Sequence, residues 1–353
     1  MSRSIGGSWG SRASMKWIDY REVLKDIAVE RVSSEARELA KRFGYLPYMV
    51  ERYLSMLGHE ETLELLNAFE NLRPPPAIRV NTLRIGVDEL VQRLEALGFE
   101  LRPVKWCSYC LEVVKFPESP SIGSTHEYLK GLYYVYRDSA PTIPPSLAPA
   151  KPGHRVLDVC AAPGGKATHL LQQMEDVGLL IANDKARSRI PVLIAHIQRM
   201  GFRSAVVTCL DGRDLPKILK PVFDYVLVDA PCSAEGGIMY DPGRKTRTSI
   251  EDLAKLVARE IELLESGAKL LRRGGVLVYS TCSIAPEENE YVVTRVLKRF
   301  PDLDVVEPPT NLWSWGLDGF RGLEFDKRVR RCVRVWPHRH GVEGFFVCIL
   351  VKR

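Results

Sequence analysis

The chain has 353 residues, 45% of them hydrophobic, which is enough to bury a substantial core and to divide into two or three domains. No apolar run approaches the ~20 residues needed to cross a bilayer, and the opening "MSRSIGGSWGSRASMKW" lacks the apolar stretch of a secretory signal, so a cytoplasmic protein without a membrane partner is expected. A net charge of +6 suits a polyanionic partner without requiring one, and in a reducing compartment the eight cysteines read as packed thiols, metal ligands or catalytic groups rather than a disulfide framework. Scarce Asn and Gln with plentiful Arg, Lys and Glu is a heat-adapted composition, and such intracellular chains sometimes do carry disulfides.

In chain order, residues 1–20, rich in Gly, Ser and Arg, read as a flexible arm. Over residues 21–72, "YREVLKDIAVERVSSEARELAKRF" and "EETLELLNAFENL" space apolar residues by three and four and predict a small helical region. "RPPP" ends it, since consecutive prolines cannot extend a helix. "AIRVNTLRI" then predicts a strand, "GVDELVQRLEALGF" a helix closed by Gly98, and "LRPVKWCSYCLEVVKF" one or two strands. Together they make an α+β (RRM-like) module over residues 73–128, a kind that often binds RNA. "CSYC", Cys107 to Cys110, has redox or metal spacing but no second pair nearby to complete a zinc site; packed structural thiols are the favoured reading, a redox protein the alternative.

Residues 129–353 open with the Pro-rich "SAPTIPPSLAPAKPG" and then alternate apolar strands with helices, which predicts an α/β, doubly wound, mainly parallel sheet binding its ligand outside the carboxyl ends of the strands. "DVCAAPGGK" follows the first strand and opens a helix, and its glycines would let backbone amides approach a ligand. It has neither the P-loop spacing nor the dinucleotide fingerprint. "IANDK" sets Asp184 at the end of the second strand, suited to ribose hydroxyls, and "CLDGRDL" sets Asp211 at the end of the third, suited to an adenine amino group. Each acid could merely cap a helix or turn, but together they point to an adenosine cofactor without a phosphate requirement, S-adenosyl-L-methionine.

"DAPCS" closes the fourth strand with Asp229 and Cys232, and "YSTCS" closes the next with Cys282. If those strands are neighbours, their ends lie ~5 Å apart and both thiols face one pocket. A thiolate beside a methyl donor suits methylation at a pyrimidine C5, where addition at C6 makes C5 enamine-like.

"IRVNTLR", "DVCAAPGGK", "DAPCS", "YSTCS...PEENE" and "WPHRHGVEGFFV", in this order, resemble the signature set of the RNA (cytosine-C5)-methyltransferases, the NOL/NSUN and bacterial rRNA-methylase group. The resemblance runs from Arg73 to Lys352 and implies a Rossmann-like S-adenosylmethionine methyltransferase domain with a mostly parallel seven-stranded sheet. It implies Cys282 as the nucleophile on C6, Cys232 as the thiol assisting product release, and Asp229 and Lys166 holding and polarising the cytosine. It places Cys160, Ala161, Ala162, Pro163, Gly164, Gly165, Lys166, Asp184, Arg189, Asp211 and Asp229 at the cofactor. The expected product is 5-methylcytosine in RNA. Chain length resembles the short archaeal-type members, favouring tRNA over rRNA; a non-catalytic RNA-binding or ribosome-assembly protein is the other alternative. No metal and no obligate protein partner is expected.

Two departures from the family pattern stand out. Ala234 and Glu235 in "SAEGG" replace the usual glycine register, and Thr246 in "GRKTRTSIEDL" replaces a tryptophan; both fall in a loop expected to be flexible and to contact RNA. "FDKRVRRCVRVW" and "GRKTR" offer cations to grip phosphates. "WPHRHG" sets His338 and His340 on an expected strand, facing the same side, and the family resemblance implies a structural role for this segment beside the active site.

Overall fold

The computed structural model describes residues 17–29 and 31–353, so the expected arm lies, over 1–16, outside the described residues. Residues 17–19 are docked: the Ile18 amide donates to Glu262 Oε1 at 2.5 Å and the Arg213 guanidinium stands 4.2 Å from the Trp17 ring centre. Asp19 caps α1 (Tyr20–Ile27) by accepting from the Arg21 amide. The periodicity does not continue as one helix, because Ser33 accepts from the Ala36 amide and starts α2 (Ser34–Phe43) afresh. In α3 (Pro47–Asn71), Gly58 takes a φ of 74°, foreign to a right-handed helix, and kinks it. α2 and α3 bury Leu39, Tyr53, Leu65, Leu66 and Phe69 against Ile238, Met239, Ile284 and Trp336 from far along the chain.

β1 (Ala77–Val80), α4 (Val87–Ala96), β2 (Glu100–Val104) and β3 (Cys107–Lys115) follow, then α5 (His126–Leu129) and β4 (Tyr133–Tyr136). The four strands form an antiparallel sheet in the order β2-β3-β1-β4. β4 therefore lies beyond residue 128, where the module was expected to end. Its Tyr133 completes the core formed by Ile78, Val80, Leu90 and Leu94, while Tyr134 and Tyr136 enter the core of the next sheet. Cys107 and Cys110 are joined by a disulfide and buried beside Val104, not left as free thiols.

The Pro-rich stretch folds into α6 (Ile143–Leu147). There follow β5 (Arg155–Asp158), α7 (Gly165–Gln173), β6 (Leu179–Asn183), α8 (Ile190–Met200), β7 (Ala205–Thr208), β8 (Phe223–Asp229), α9 (Arg244–Arg247), α10 (Ile250–Leu270), β9 (Leu271–Thr281) and α11 (Glu290–Arg299). The strands run parallel in the order β7-β6-β5-β8-β9. Alternation splits each strand between two cores: Val226 and Val228 face α10 and α11, while Tyr225 and Leu227 face α7 and α8.

β10 (Leu303–Val306), β11 (Ser314–Trp315), β12 (Gly319–Phe320), β13 (Leu323–Glu324), β14 (Val333–Val335), α12 (Pro337–His340) and β15 (Phe345–Lys352) complete the chain. β15 pairs antiparallel with β9, and its far edge is shared by β14, opposite residues 345–347, and β10, opposite residues 349–352. With β11 beside β14 the sheet reaches nine strands where seven were predicted, because the edge of β15 is long enough for two short partners. The expected strand at "WPHRHG" is instead the single turn α12, begun by Pro337; His338 Nε2 meets Glu61 Oε1 at 2.9 Å and the Trp336 amide donates to His340 Nδ1.

A second disulfide joins Cys332, just before β14, to Cys348 in β15, across the pair Val333↔Val347. Its two cysteines are 16 positions apart, against 3 for Cys107 and Cys110. Replacing Cys332 and Cys348 by alanine should lower unfolding free energy in urea by about 3 kcal/mol, against about 2 for the shorter loop; equal or inverted losses would contradict this.

Candidate active site

The carboxyl ends of β5, β6, β7 and β8 share one edge of the sheet, so the acids that end these strands converge. A cavity of about 730 Å³ opens there, lined among others by Cys160, Ala162, Asp184, Arg189, Asp211 and Asp229, and on its other wall by Cys232 and Cys282. That volume is in the range of small-ligand pockets.

Ala161, Pro163, Gly164, Gly165 and Lys166 do not line this cavity. At Gly164, with a φ of 111°, an added Cβ would stand 3.1 Å from Leu193 Cδ1; at Gly165 it would stand 2.8 Å from the Tyr136 ring. These glycines let α7 lie close to α8 and to the tyrosines of β4. The loop is also held from the small sheet: buried Arg79 donates to the Gly165 carbonyl at 3.0 Å and to Thr168 Oγ1 at 2.8 Å. Ala162 instead presents its chain to the cavity, held by Asp184, whose Oδ2 accepts from the Ala162 amide at 3.1 Å and whose Oδ1 accepts from the Ala186 amide at 2.8 Å. Arg189 reaches both Asp184 and the Ala162 carbonyl. Asp211 caps the turn after β7 and pairs with Arg213 at 2.8 Å and Lys185 at 2.7 Å; the Arg213 guanidinium, with Lys185, holds its carboxyl well below the usual range. Capping and cavity lining are thus combined in the same acids.

One lysine serves two aspartates. Lys166 Nζ donates to Asp229 Oδ2 at 2.9 Å, and Ser280 Oγ donates to Asp229 Oδ1 at 2.8 Å. Burial disfavours the charge on Lys166, but Asp229 outweighs it and the pKa is raised. Asp158, also buried, is pushed up to about 8 by desolvation and by Asp229.

The two thiols meet because β8 and β9 are parallel neighbours with Asp229 opposite Ser280. Cys232 Sγ and Cys282 Sγ lie 3.5 Å apart. The hydrogen bond to Cys282 and burial push the Cys232 thiol well up, so Cys232 holds its proton while the two sulfurs face each other. Cys160 is likewise pushed up, by burial and Asp158, which leaves it a poor nucleophile.

Arg244 of the "GRKTR" run also lines the cavity, as do Lys185, Arg259 and Leu263, which were not singled out from the sequence. Lys185 adjoins Asp184 in "NDK" and was in plain view; Arg259 sits mid-helix in α10, with no local signal. Several expectations are corrected. Glu235 is not on a loose RNA-contacting loop but buried, 2% exposed, against Arg52. Within the basic runs, Arg328 pairs with Asp326, Arg330 with Asp318, Arg334 with buried Glu290, Lys245 with Glu70, and Arg247 with Asp241, the Arg330 and Arg247 pairs on the exposed surface. The buried Cys107–Cys110 disulfide lies apart from the cavity, against a redox role.

The doubly wound sheet, with acids at successive strand ends around one cavity, defines the class of S-adenosylmethionine methyltransferases. The cavity residues fit that cofactor: Asp184 and Asp211 supply polar acceptors, and Val159 and Leu263 supply apolar wall.

The family model described as 16S rRNA methyltransferase RsmB/F matches residues 145–351, and the one described as the N-terminal domain of 16S rRNA methyltransferase RsmF matches residues 46–136; the chain belongs to this RsmB/F family of RNA cytosine-C5 methyltransferases. It is 35% identical over 328 residues to the 25S rRNA (cytosine-C(5))-methyltransferase nop2 of Schizosaccharomyces pombe, covering 92% of this chain and 53% of that protein. Identity to the ribosomal RNA small subunit methyltransferase F of Aeromonas salmonicida is 36% over 279 residues, 78% of this chain and 57% of that protein. The chain thus spans about half the length of the curated relatives it matches. The crystal structure of a methyltransferase homolog protein from Pyrococcus horikoshii superposes with a TM-score of 0.81 at 31% identity, over 91% of this chain and 100% of that one. Among the described residues, no helix is long and apolar enough to cross a membrane.

The raised Asp158 gives the fold a pH signature. Between the ordinary aspartate range near 4 and about 8, folded Asp158 holds a proton that the unfolded chain has lost, so stability falls as pH rises through that window, by up to about 1.4 kcal/mol per pH unit. Asp158→Asn should flatten this fall, measured as melting temperature from pH 5 to pH 8; parallel curves for wild type and variant would reject it.

Proposed function

We propose that this chain is an S-adenosylmethionine-dependent RNA methyltransferase that forms 5-methylcytosine in ribosomal RNA, with Cys282 as nucleophile and Cys232 assisting release. The observation that carries the reading is the 3.5 Å approach of two cysteine sulfurs inside the cavity lined by the strand-end acids. When bound, the cofactor supplies an electrophilic methyl group. Cys282, as thiolate, adds to C6 of the cytosine, and C5 gains the electron density to take the methyl group. Once the Cys282 sulfur is bonded to C6 it no longer holds the Cys232 proton, which passes to solvent; the Cys232 thiolate then accepts the C5 proton, that C–H electron pair restores the C5–C6 double bond, and the Cys282 sulfur leaves as thiolate. Asp229, positioned by Lys166 and Ser280, holds the N4/N3 edge of the base. The thiols sit at the end of a buried strand pair, so a cytosine in structured RNA has to leave its stack to reach them.

The names of the relatives from Schizosaccharomyces pombe and Aeromonas salmonicida both specify ribosomal RNA, which supports an rRNA target over the transfer RNA favoured from sequence alone. Cys282, Cys232, Lys166 and Asp229 all stand together, which weighs against a non-catalytic assembly protein.

The test is incubation of the protein with tritiated S-adenosylmethionine and either unmodified rRNA transcripts or tRNA transcripts. Label should enter rRNA; Cys282→Ala should lower incorporation by at least ~10³-fold, the scale of losing an essential nucleophile, and Cys232→Ala should leave a protein–RNA adduct stable in denaturing gels. Label entering tRNA alone would overturn the substrate, and normal methylation by Cys282→Ala would overturn the chemistry.

A further inference from the structure

The loops that carry the two cysteines are tied together by a residue from outside the sheet. Arg52 lies on α3 in the N-terminal helical region and is fully buried. Its Nη1 donates to Glu235 Oε2 at 2.5 Å and its Nε donates to Glu287 Oε1 at 3.2 Å. Glu235 follows Cys232 on the loop after β8, and Glu287 follows Cys282 on the loop after β9; the two carboxylates are 2% and 0% exposed. The guanidinium also stands 5.2 Å from the ring centre of Tyr48, a residue of its own helix.

The same loops touch each other directly. The Gly236 amide donates to the Cys282 carbonyl at 3.0 Å, and Glu288 accepts from the Ser233 amide and hydroxyl, both at 2.6 Å. Those contacts align the loops along one line. Ala234, at a φ of 54° unusual for a non-glycine residue, is where the Cys232 loop turns, and Glu235 is the first side chain past it. A rigid planar fork, charged at any working pH and bonded to both loops, is what removes the remaining freedom of that turn.

We propose that Arg52 is a positioning residue that, through Glu235 and Glu287, fixes Cys232 against Cys282, so that release of the methylated base depends on a helix outside the catalytic sheet. This rests on the methyltransferase reading above. The attack step needs Cys282 alone, held on its strand; the release step needs Cys232 within reach of the C5 proton while Cys282 is still bonded to C6. Loosening the Cys232 loop therefore slows release more than attack, and the covalent protein–RNA species builds up.

The experiment uses the full chain with an unmodified rRNA transcript and tritiated S-adenosylmethionine, comparing wild type, Arg52→Met and Glu235→Gln. Glu235→Gln keeps the shape of the side chain and leaves the Arg52–Glu287 pair in place, so it remains informative if Arg52→Met fails to fold; melting and cofactor affinity report folding. Steady turnover should fall about 10-fold or more, as a misplacement of about 1 Å does. First-turnover label transfer should stay within about 2-fold of wild type, and a denaturant-stable protein–RNA band, absent in wild type, should appear. A folded Glu235→Gln with wild-type turnover, or one in which both rates fall together without the band, overturns the inference. If wild type transfers no label at all, the underlying reading fails instead.

Discussion

The parallel pairing of β8 with β9 is the constraint on which the site depends. Because Asp229 stands opposite Ser280, the chain leaves both strands at the same height, and the segments that follow run side by side over one end of the sheet. A one-residue slip would turn alternate side chains between the two cores, exchanging Val226 and Val228 with Tyr225 and Leu227, so packing on both faces specifies the register. The convergence of Cys232 and Cys282 is in this sense enforced by apolar packing far from either sulfur. The same register seats Ser280 on Asp229, so this acid lining the cavity is oriented by the strand that leads to Cys282.

Around the thiols the protein accepts an expensive concentration of buried charge. Glu235, Glu260, Glu287, Glu288 and Glu290 are all buried, with Arg52 and Arg334 among them as cations. Arg334 forks onto Glu290 with both bonds at 2.5 Å, and Arg52 bridges two loops. Removing one partner of such a pair leaves an uncompensated charge and costs about 3–5 kcal/mol, so these contacts are poor sources of stability but strict specifiers of geometry. Burial pushes Glu260 well above the carboxylate range, and Glu288 next to it is raised as well, which limits the negative charge facing the sulfurs.

Much of this was legible in the sequence wherever a local rule sufficed. Alternating apolar strands and helices gave the doubly wound sheet, and the acids and cysteines at strand ends gave the composition of one cavity. Features set by tertiary partners were not legible. Gly164 and Gly165 resemble a ligand cradle in sequence, yet their need for glycine comes from Leu193 and Tyr136. Arg330 and Arg334 read as a phosphate grip because the carboxylates that engage them, Asp318 and Glu290, lie outside that run. The Cys332–Cys348 disulfide follows from the pairing of β14 with β15, which no spacing rule reveals. Glu235 looked exposed because a charged residue near Gly-Gly usually is; the cation that buries it is 183 positions away.

The charge balance at the floor of the cavity follows from one cation facing two acids. Lys166 bonds Asp229 directly, whereas Asp158 feels Lys166 less than it feels its own desolvation and the charge on Asp229. With Lys166 held as a cation by its bond to Asp229, and Asp158 held protonated at neutral pH by burial, the floor carries no second acid charge. An ionised Asp158 would add negative charge to that floor, against the thiolate that the proposed chemistry asks of Cys282. Holding Asp158 neutral spares the Cys282 thiolate that repulsion, and it does so with a residue that never lines the cavity. Burial of one carboxyl at the end of β5 thus conditions the chemistry available at the end of β9, two strands away across β8.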